Sequence, residues 1–298
     1  MMDKKKTITE IFDRAKKQLD GGDLKTGYEV DGHVFFCYYS NNDWQNYVDM
    51  MPESIKHQFD DGKGGEMQEY SRNGIMYPPK MASYASSSRF MYSQGQKFDG
   101  FAYEKQLTTG LGGYPANLDG YLESKNVFVE AKCHEFYNYS RPELLKGHRM
   151  LLEGIIPKLG GRLNYERSQK TLYLSWDNKD SGYFDFKQML CHLSGIANMV
   201  LGGGEKIVNF IYLVYRPSQE LLAFVDNPSD KQRIQELFDD EKEMAKTIDF
   251  KSIYEAILHY FNRRRKYGYS EEEIRTFATS FSFTFCTQDN FKSVVDNL

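Results

Sequence analysis

The sequence predicts a protein of the α/β (α+β) class with a central mixed β-sheet flanked by helices. Two apolar segments indicate buried strands: "NVFVEAKC" at 126–133 and "KIVNFIYLVY" at 206–215. The second is a continuous apolar run, which is typical of a central strand covered on both faces. Segments with apolar residues at helical spacing precede, separate and follow these two strands. This order of elements favours a mixed sheet with helices packed around it.

The individual elements follow from local patterns. Residues 5–19 have apolar residues at helical spacing, with Thr7 as N-cap and Glu10 three residues later. The segment "GHVFFCYY" at 32–39 is typical of a strand, and the Gly- and Pro-containing residues 59–80 of a loop. We predict further helices over 98–107, 141–159, 183–204, 231–245 and 250–265, and further strands over 115–123, 171–176 and 279–287.

These patterns divide the chain into three parts. We predict an N-terminal extension over 1–80, a core over 81–220, and a C-terminal helical extension over 221–298. The extension at the C-terminus contains the late strand and is expected to pack on the core. No internal repeat breaks this arrangement.

Composition limits the classes of function. Lys and Arg number 38 against 42 Asp and Glu, so the formal net charge of −4 does not indicate a globally basic nucleic-acid binder. No apolar run reaches the roughly 20 residues that span a bilayer. The N-terminus lacks the apolar segment of a signal peptide, and the four cysteines form no C-x-x-C pair. We therefore expect a cytoplasmic protein without a membrane partner.

The stretch "NLDGYLESKNVFVEAK" carries the candidate chemistry. Side chains alternate between the faces of a strand, so Glu130 and Lys132 share one face, and a hairpin can bring Asp119 to the same end of the sheet. The two carboxylates and the backbone carbonyl of Ala131 are the hard oxygen ligands that suit Mg²⁺. A lysine beside such an ion can position or help deprotonate a water that attacks a phosphodiester. An ion pair on a solvated edge strand explains the same residues without catalysis.

The motif resembles the signature of the PD-(D/E)XK nuclease superfamily, which includes restriction endonucleases. Asp119 takes the Asp place, Glu130 the acidic place and Lys132 the lysine place, while Leu118 stands where the family often has Pro. The stretch "YPPKMASYASSSRF" is similar to a feature of a bacterial restriction-like branch. The resemblance covers about residues 86–217 and implies a restriction-endonuclease-like core.

The resemblance also implies further site residues and a substrate. Glu104, on a helix ahead of the first strand, would join Asp119, Glu130 and Ala131 at Mg²⁺, for which Mn²⁺ can substitute. Gln188 would face the site from a later helix. Double-stranded DNA is the implied substrate, and cutting both strands implies a homodimer. The candidate nucleic-acid contacts are Arg89, Lys187, Arg263, Arg264 and Arg265.

Three functions are therefore open at this point. The first is a metal-dependent endonuclease that hydrolyses DNA. The second is a non-catalytic nucleic-acid-binding protein with the same fold. The third is a hydrolase that uses paired carboxylates without a metal, such as a glycosidase.

Overall fold

The computed structural model describes residues 7–21, 28–30, 33–36, 41–62, 65–72, 74–113, 115–137, 144–167, 172–180 and 184–298. Within these residues the α-helices are α1 (Ile8–Leu19), α2 (Asn41–Asp49), α3 (Glu53–Asp61), α4 (Ser87–Gly95), α5 (Lys146–Ile155), α6 (Phe186–Leu201), α7 (Gln219–Ala223), α8 (Pro228–Thr247), α9 (Phe250–Arg265), α10 (Glu271–Thr279) and α11 (Phe291–Asp296). The strands are β1 (Tyr28–Val30), β2 (His33–Phe36), β3 (Tyr70–Arg72), β4 (Ile75–Tyr77), β5 (Phe101–Leu107), β6 (Ala116–Leu122), β7 (Val127–Lys132), β8 (Leu163–Arg167), β9 (Leu172–Trp176), β10 (Lys179–Asp180), β11 (Val208–Val214) and β12 (Phe281–Thr287).

A five-stranded sheet forms the centre of the described structure, in the order β12-β11-β7-β6-β5. β5, β6 and β7 are antiparallel neighbours, whereas β7, β11 and β12 run parallel. Helices α4, α6, α8 and α9 contact its strands. The prediction of a central mixed sheet flanked by helices is therefore confirmed. β11 lies between two parallel neighbours, and its residues 210–214 are fully buried, as its unbroken apolar sequence predicts.

Three smaller β-structures lie outside this sheet. β1 pairs with β2, β3 pairs with β4, and β8, β9 and β10 form an antiparallel sheet. The β3–β4 hairpin and the end of α3 fall inside the segment 59–80, so the prediction of a loop there is only partly right. Within the described residues, none of the helices is long and apolar enough to cross a membrane.

The predicted extensions contribute directly to the packing of the core. Strand β12 comes from the predicted C-terminal extension, yet it is an edge strand of the central sheet. Helix α1 begins at the predicted capping box, in which Thr7 and Glu10 bond each other's backbone N–H groups. α1 packs against α7 and α8, so the N-terminal helix contacts helices that follow the last of the three central strands β7, β6 and β11 in the chain.

The prediction of a helix over 98–107 is wrong, because this segment forms strand β5. Phe101, Tyr103 and Leu107 bury their side chains, and aromatic residues favour strands. Glu104 has a positive φ of 53°, which interrupts the strand between the pairs Tyr103–Gly120 and Lys105–Leu118. Helix α3 covers this irregular edge strand: the Tyr103 N–H donates to Gln58 Oε1 at 2.7 Å.

Helix α6 carries two residues of the candidate site and packs closely on β5. The Asp185 carboxylate caps it by accepting a bond from the Gln188 N–H at 2.9 Å. At Gly195 a Cβ atom would lie 2.7 Å from the Cβ of Leu107, closer than real Cβ atoms approach. Glycine at this position therefore sets the distance between α6 and the sheet.

We expect Gly195→Val to lower the free energy of unfolding by about 2 kcal/mol, because overpacking a core costs about 1–3 kcal/mol. The gain in helix propensity over glycine, roughly 0.4 kcal/mol, is too small to offset this. Chemical denaturation monitored by circular dichroism measures the difference. Lys187→Ala on the same helix is the control, and unchanged stability of Gly195→Val would show that the contact is not restrictive.

Candidate active site

Three carboxylates form a row across the central sheet. The pairs Tyr103–Gly120 and Lys105–Leu118 set Glu104 opposite Asp119. The pair Gly120–Val129 ends the described β6–β7 ladder, and continuing its register by one residue sets Asp119 opposite Glu130. Neighbouring strands lie about 4.8 Å apart. The row therefore places three carboxyl groups, one from each of three adjacent strands, side by side across the sheet.

The Asp119 carboxylate takes the place of a backbone partner where β6 and β7 separate. The Ala131 N–H donates to Asp119 Oδ2 at 2.7 Å. Under the same register Ala131 would face Leu118, but that backbone pair is not formed. The hydrogen bond therefore fixes Asp119 against the strand that carries Glu130 and Lys132.

Two residues of helix α6 contact the other two motif side chains, Glu130 and Lys132. Gln188 Oε1 accepts from Lys132 Nζ at 2.6 Å, and His192 Nε2 lies 2.8 Å from Glu130 Oε2. Lys132 Nζ also lies 2.6 Å from Glu130 Oε1. Gln188 and His192 are four residues apart, so they share one face of the helix. The sequence predicts Gln188 as a site residue but not His192. The spacing of four residues between them was the signal that could have identified His192.

Apart from His192, these side chains line one cavity of about 600 Å³. The five predicted catalytic or metal-binding side chains and the others that line it are Glu66, Tyr70, Lys80, Ser83, Ser86, Ser87, Ser88, Glu104, Asn117, Asp119, Glu130, Lys132, His134, Glu135, Phe136, Asp185, Gln188, Tyr212 and Glu241. Seven of them are carboxylates and two are lysines, so the cavity is strongly acidic. Glu104 reaches it from β5 rather than from the helix on which it was predicted.

Burial and mutual repulsion disfavour the charged forms of two members of the row. Burial, together with the carboxylates of Glu66 and Glu130, raises the pKa of Glu104 to about 8. Burial, with Glu130 and Glu104 nearby, holds the pKa of Asp119 well above its usual range. The Asn117 amide stabilises Glu104 by donating to Oε2 at 3.0 Å. A row of this kind favours a positive charge among its oxygens.

Glu130 and Lys132 form a buried ion pair. Burial opposes the charge on Glu130, but Lys132 and His192 outweigh it and lower the pKa of Glu130 to about 2. Burial likewise opposes the charge on Lys132, but Glu130, Glu135 and Asp185 raise its pKa above the usual range. Lys132 is therefore a fixed ammonium group and a poor proton acceptor.

A further buried acid, outside the row, lines the cavity from the C-terminal part of the chain. Glu241 on α8 is 1% exposed and accepts a hydrogen bond from the Tyr212 hydroxyl. Tyr212 pairs with Glu130 across β11 and β7. Burial raises the pKa of Glu241 to about 8 against the effect of this hydrogen bond. The sequence had no local signal for Glu241, which approaches through the packing of α8.

The five candidate nucleic-acid contacts lie outside this cavity. Arg89 lines a separate cavity on the other side of α4. Lys187 lies on α6, one residue before Gln188, but is not among the residues that line the cavity. In the last turn of α9, Arg264 stacks on Tyr260, and Arg265 stacks on Phe261 and approaches Gly110; Arg263 precedes them in the same turn.

The row offers oxygens that suit a hard divalent cation, although no group of three or more His, Cys, Asp or Glu side chains in the described ranges is arranged as a metal site. Mg²⁺ needs only one or two carboxylates, because water and phosphate oxygens complete its coordination. Asn117 Oδ1 is buried without a hydrogen-bond partner, whereas the two Glu130 oxygens already contact Lys132 and His192. The residues that would hold the ion are Asp119, Glu130 and the Ala131 carbonyl, with Glu104 beside them.

Comparisons with known proteins do not assign the chain to a family. The chain matches no family model, no curated protein and no solved structure.

We expect Glu241→Gln to make the protein more stable at alkaline pH. With a pKa of about 8 in the folded state and 4.5 as the ordinary value, wild-type stability falls as pH rises from about 4.5 to 8. Glutamine keeps an acceptor for Tyr212 and cannot ionise, so the gain should approach about 5 kcal/mol well above pH 8 and vanish near pH 4.5.

Thermal unfolding between pH 5 and pH 9 measures this difference. Asp240→Asn, which changes the exposed neighbour on α8, is the control and should show no such trend. A Glu241→Gln stability difference that does not depend on pH would contradict the assignment.

Proposed function

We propose that this protein is a metal-dependent nuclease that hydrolyses phosphodiester bonds in DNA. The observation that carries the proposal is the convergence of Asp119, Glu130 and Lys132 in one cavity, where two neighbouring strands separate. Similarity of the motif to the PD-(D/E)XK nucleases supplies the reaction class and favours DNA over RNA. A homodimer that cuts both strands of a duplex belongs to the same proposal.

The topology supports a restriction-endonuclease-like core. The antiparallel strands β5, β6 and β7 carry Glu104, Asp119 and the Glu-x-Lys residues. Helix α6 is the last helix before the parallel strand β11 and contributes Gln188. This order of strands and helix supports the proposal, and Glu104 departs from it because it lies on a strand rather than on a helix.

The cavity would hold Mg²⁺, or Mn²⁺ in its place, through Asp119, Glu130 and the Ala131 carbonyl. When bound, such an ion supplies Lewis-acid activation of the attacking water and of the phosphate. Gln188 orients Lys132, and the Ala131 N–H orients Asp119. Because the surrounding carboxylates keep Lys132 protonated, we assign it the role of stabilising negative charge on the phosphate rather than removing a proton.

The N-terminus of α4 provides a second favourable place for phosphate oxygens. Ser86 caps this helix by accepting from the Arg89 N–H at 3.2 Å, and Ser86, Ser87 and Ser88 all line the cavity. Unpaired backbone N–H groups and the helix dipole attract anions at such an end. A phosphodiester between this helix end and Lys132 would face the carboxylate row.

We expect Lys132→Ala to reduce the rate of DNA cleavage by about 100-fold or more, since removing one preformed charge-stabilising donor typically costs that much. Nicking and linearisation of plasmid DNA with Mg²⁺ or Mn²⁺ measure the rate. Lys179→Ala, at an exposed lysine paired with Glu243, is the control. Equal cleavage by wild type and Lys132→Ala would reject the assignment, and cleavage that persists in EDTA would favour the metal-independent hydrolase.

We expect Asp119→Asn to weaken Mn²⁺ binding by at least tenfold, because it removes one of the charged oxygen ligands. Electron paramagnetic resonance of free Mn²⁺ measures binding without DNA or turnover. Asp226→Asn at an exposed position removes the same charge elsewhere and should leave the affinity unchanged. Identical Mn²⁺ affinities for wild type and Asp119→Asn would contradict a metal site at the row.

A further inference from the structure

Glu241 lies next to the carboxylate row, although it comes from α8. In the parallel pairing of β7 and β11, Tyr212 is the direct partner of Glu130, so their side chains lie on one face of strands about 4.8 Å apart. The Tyr212 hydroxyl donates to Glu241 Oε1. Glu241 is therefore on the β11 side of Glu130, whereas Asp119 and Glu104 are on the β6 and β5 side.

Glu241 belongs to the wall of the same cavity as the motif residues. It is 1% exposed, which is the same fraction as for Glu130, so burial does not distinguish it from the motif acid. The ammonium group of Lys132 acts to lower the pKa of Glu241 against the effect of burial, which shows that the two groups are within electrostatic range of one another. A phosphate held at Lys132 would therefore have Glu241 as a neighbour.

The Glu241 carboxyl group offers a proton that no described side chain accepts. Burial raises its pKa to about 8, so the group keeps its proton at neutral pH. Because Oε1 accepts from the Tyr212 hydroxyl, the proton is carried by Oε2. This oxygen is buried and has no hydrogen-bond partner in the described part of the chain. A buried donor without an acceptor costs about 1–3 kcal/mol, so the carboxyl group favours an oxygen atom that enters the cavity.

The other carboxylates around Lys132 are already engaged in contacts within the protein. Glu130 forms the ion pair with Lys132. Glu135 accepts from two backbone N–H groups, and Asp185 caps α6. His134 also lines the cavity, but its Nδ1 donates to a backbone carbonyl oxygen. The acid on α8 is therefore the better proton donor, and His134 is the alternative that an experiment must separate from it.

Hydrolysis of a phosphodiester leaves negative charge on the departing oxygen, and a positioned acid accelerates this step by protonating it. The attacking and leaving oxygens lie roughly in line on opposite sides of phosphorus. Under the proposed function the row lies beside the attacking water, so the leaving oxygen of a phosphate at Lys132 faces β11. We propose that Glu241 is a catalytic residue that donates a proton to this leaving oxygen. This role rests on the nuclease assignment and adds a general acid to it.

In this step a bond forms between phosphorus and the oxygen of water, and the bond between phosphorus and the leaving oxygen breaks. The electron pair of the broken bond stays on the leaving oxygen, which takes the proton from Glu241 Oε2 and departs as an alcohol. The Tyr212 hydroxyl stabilises the Glu241 carboxylate that results. The attacking water loses one proton to solvent and Glu241 regains one from solvent, so the step needs no further reactant.

The test compares two DNA oligonucleotides in single-turnover cleavage by the full-length protein with Mn²⁺. One has an ordinary phosphodiester, and the other has sulfur in place of the bridging oxygen that the wild-type products identify as the leaving atom. A thiol has a pKa near 8.5 and leaves without being protonated. The variants are Glu241→Gln, His134→Gln and Lys132→Ala, with Asp240→Asn at the exposed neighbouring position as the control. Thermal unfolding checks that each variant is folded, and Glu241→Met replaces Glu241→Gln if the latter is not.

We expect Glu241→Gln to slow cleavage of the ordinary oligonucleotide by about 100-fold, the lower end of what a general acid contributes, and to leave cleavage of the sulfur-containing one nearly unchanged. Lys132→Ala should slow both, and Asp240→Asn neither. A merely structural role for Glu241 would slow both equally.

Equal rates for wild type and Glu241→Gln, equal losses on both oligonucleotides, or a sulfur-dependent recovery in His134→Gln instead would overturn the role of Glu241. Slow cleavage by Lys132→Ala alongside any of these results would leave the nuclease assignment standing. Absence of cleavage by the wild-type protein would reject both.

Discussion

The structure around the candidate site depends on how it tolerates three buried carboxylates in adjacent strands. Glu104, Asp119 and Glu130 occupy matching positions across β5, β6 and β7, where like charges repel and burial adds to the cost. The backbone departs from a regular ladder at two of these positions: Glu104 has a positive φ, and Asp119 lies beyond the β6–β7 pairs, where its carboxylate accepts from the Ala131 N–H. Lys132 and His192 offset the negative charge of Glu130. Gln188 holds the Lys132 ammonium group in place. If these partners were absent, the three buried carboxylates would make the sheet less stable than one with apolar residues at the same three positions.

The surrounding elements follow from this constraint. Helix α6 must lie near the sheet for Gln188 and His192 to reach the motif, and Gly195 permits that approach. Gly62, just after α3, comes so close to Glu104 that a Cβ there would lie 2.9 Å from the Glu104 side chain. Helix α8 contributes Glu241. The site therefore draws on segments that the sequence alone assigns to three separate parts of the chain.

The sequence predicts those features of the fold that local patterns determine. Strands β6, β7 and β11 and helices α1 and α9 have regular periodicity or caps, and the structure contains them. The segment 98–107 was assigned wrongly because a charged residue interrupts the strand pattern, and only the pairing with β6 reveals it as a strand. Glu241 and His192 were missed for a related reason. Their relation to Glu130 arises from the packing of α8 and α6, which no short-range pattern encodes.

The distribution of charge between the two cavities bears on how a nucleic acid would approach. The first cavity has seven carboxylates and two lysines among the residues that line it, so it repels a phosphodiester unless cations reduce that charge. The second cavity, which Arg89 lines, has two cations, Arg89 and Lys16, but both pair with Asp20. Under the proposed function, divalent cations would therefore be needed for the phosphate to enter the site as well as for its hydrolysis.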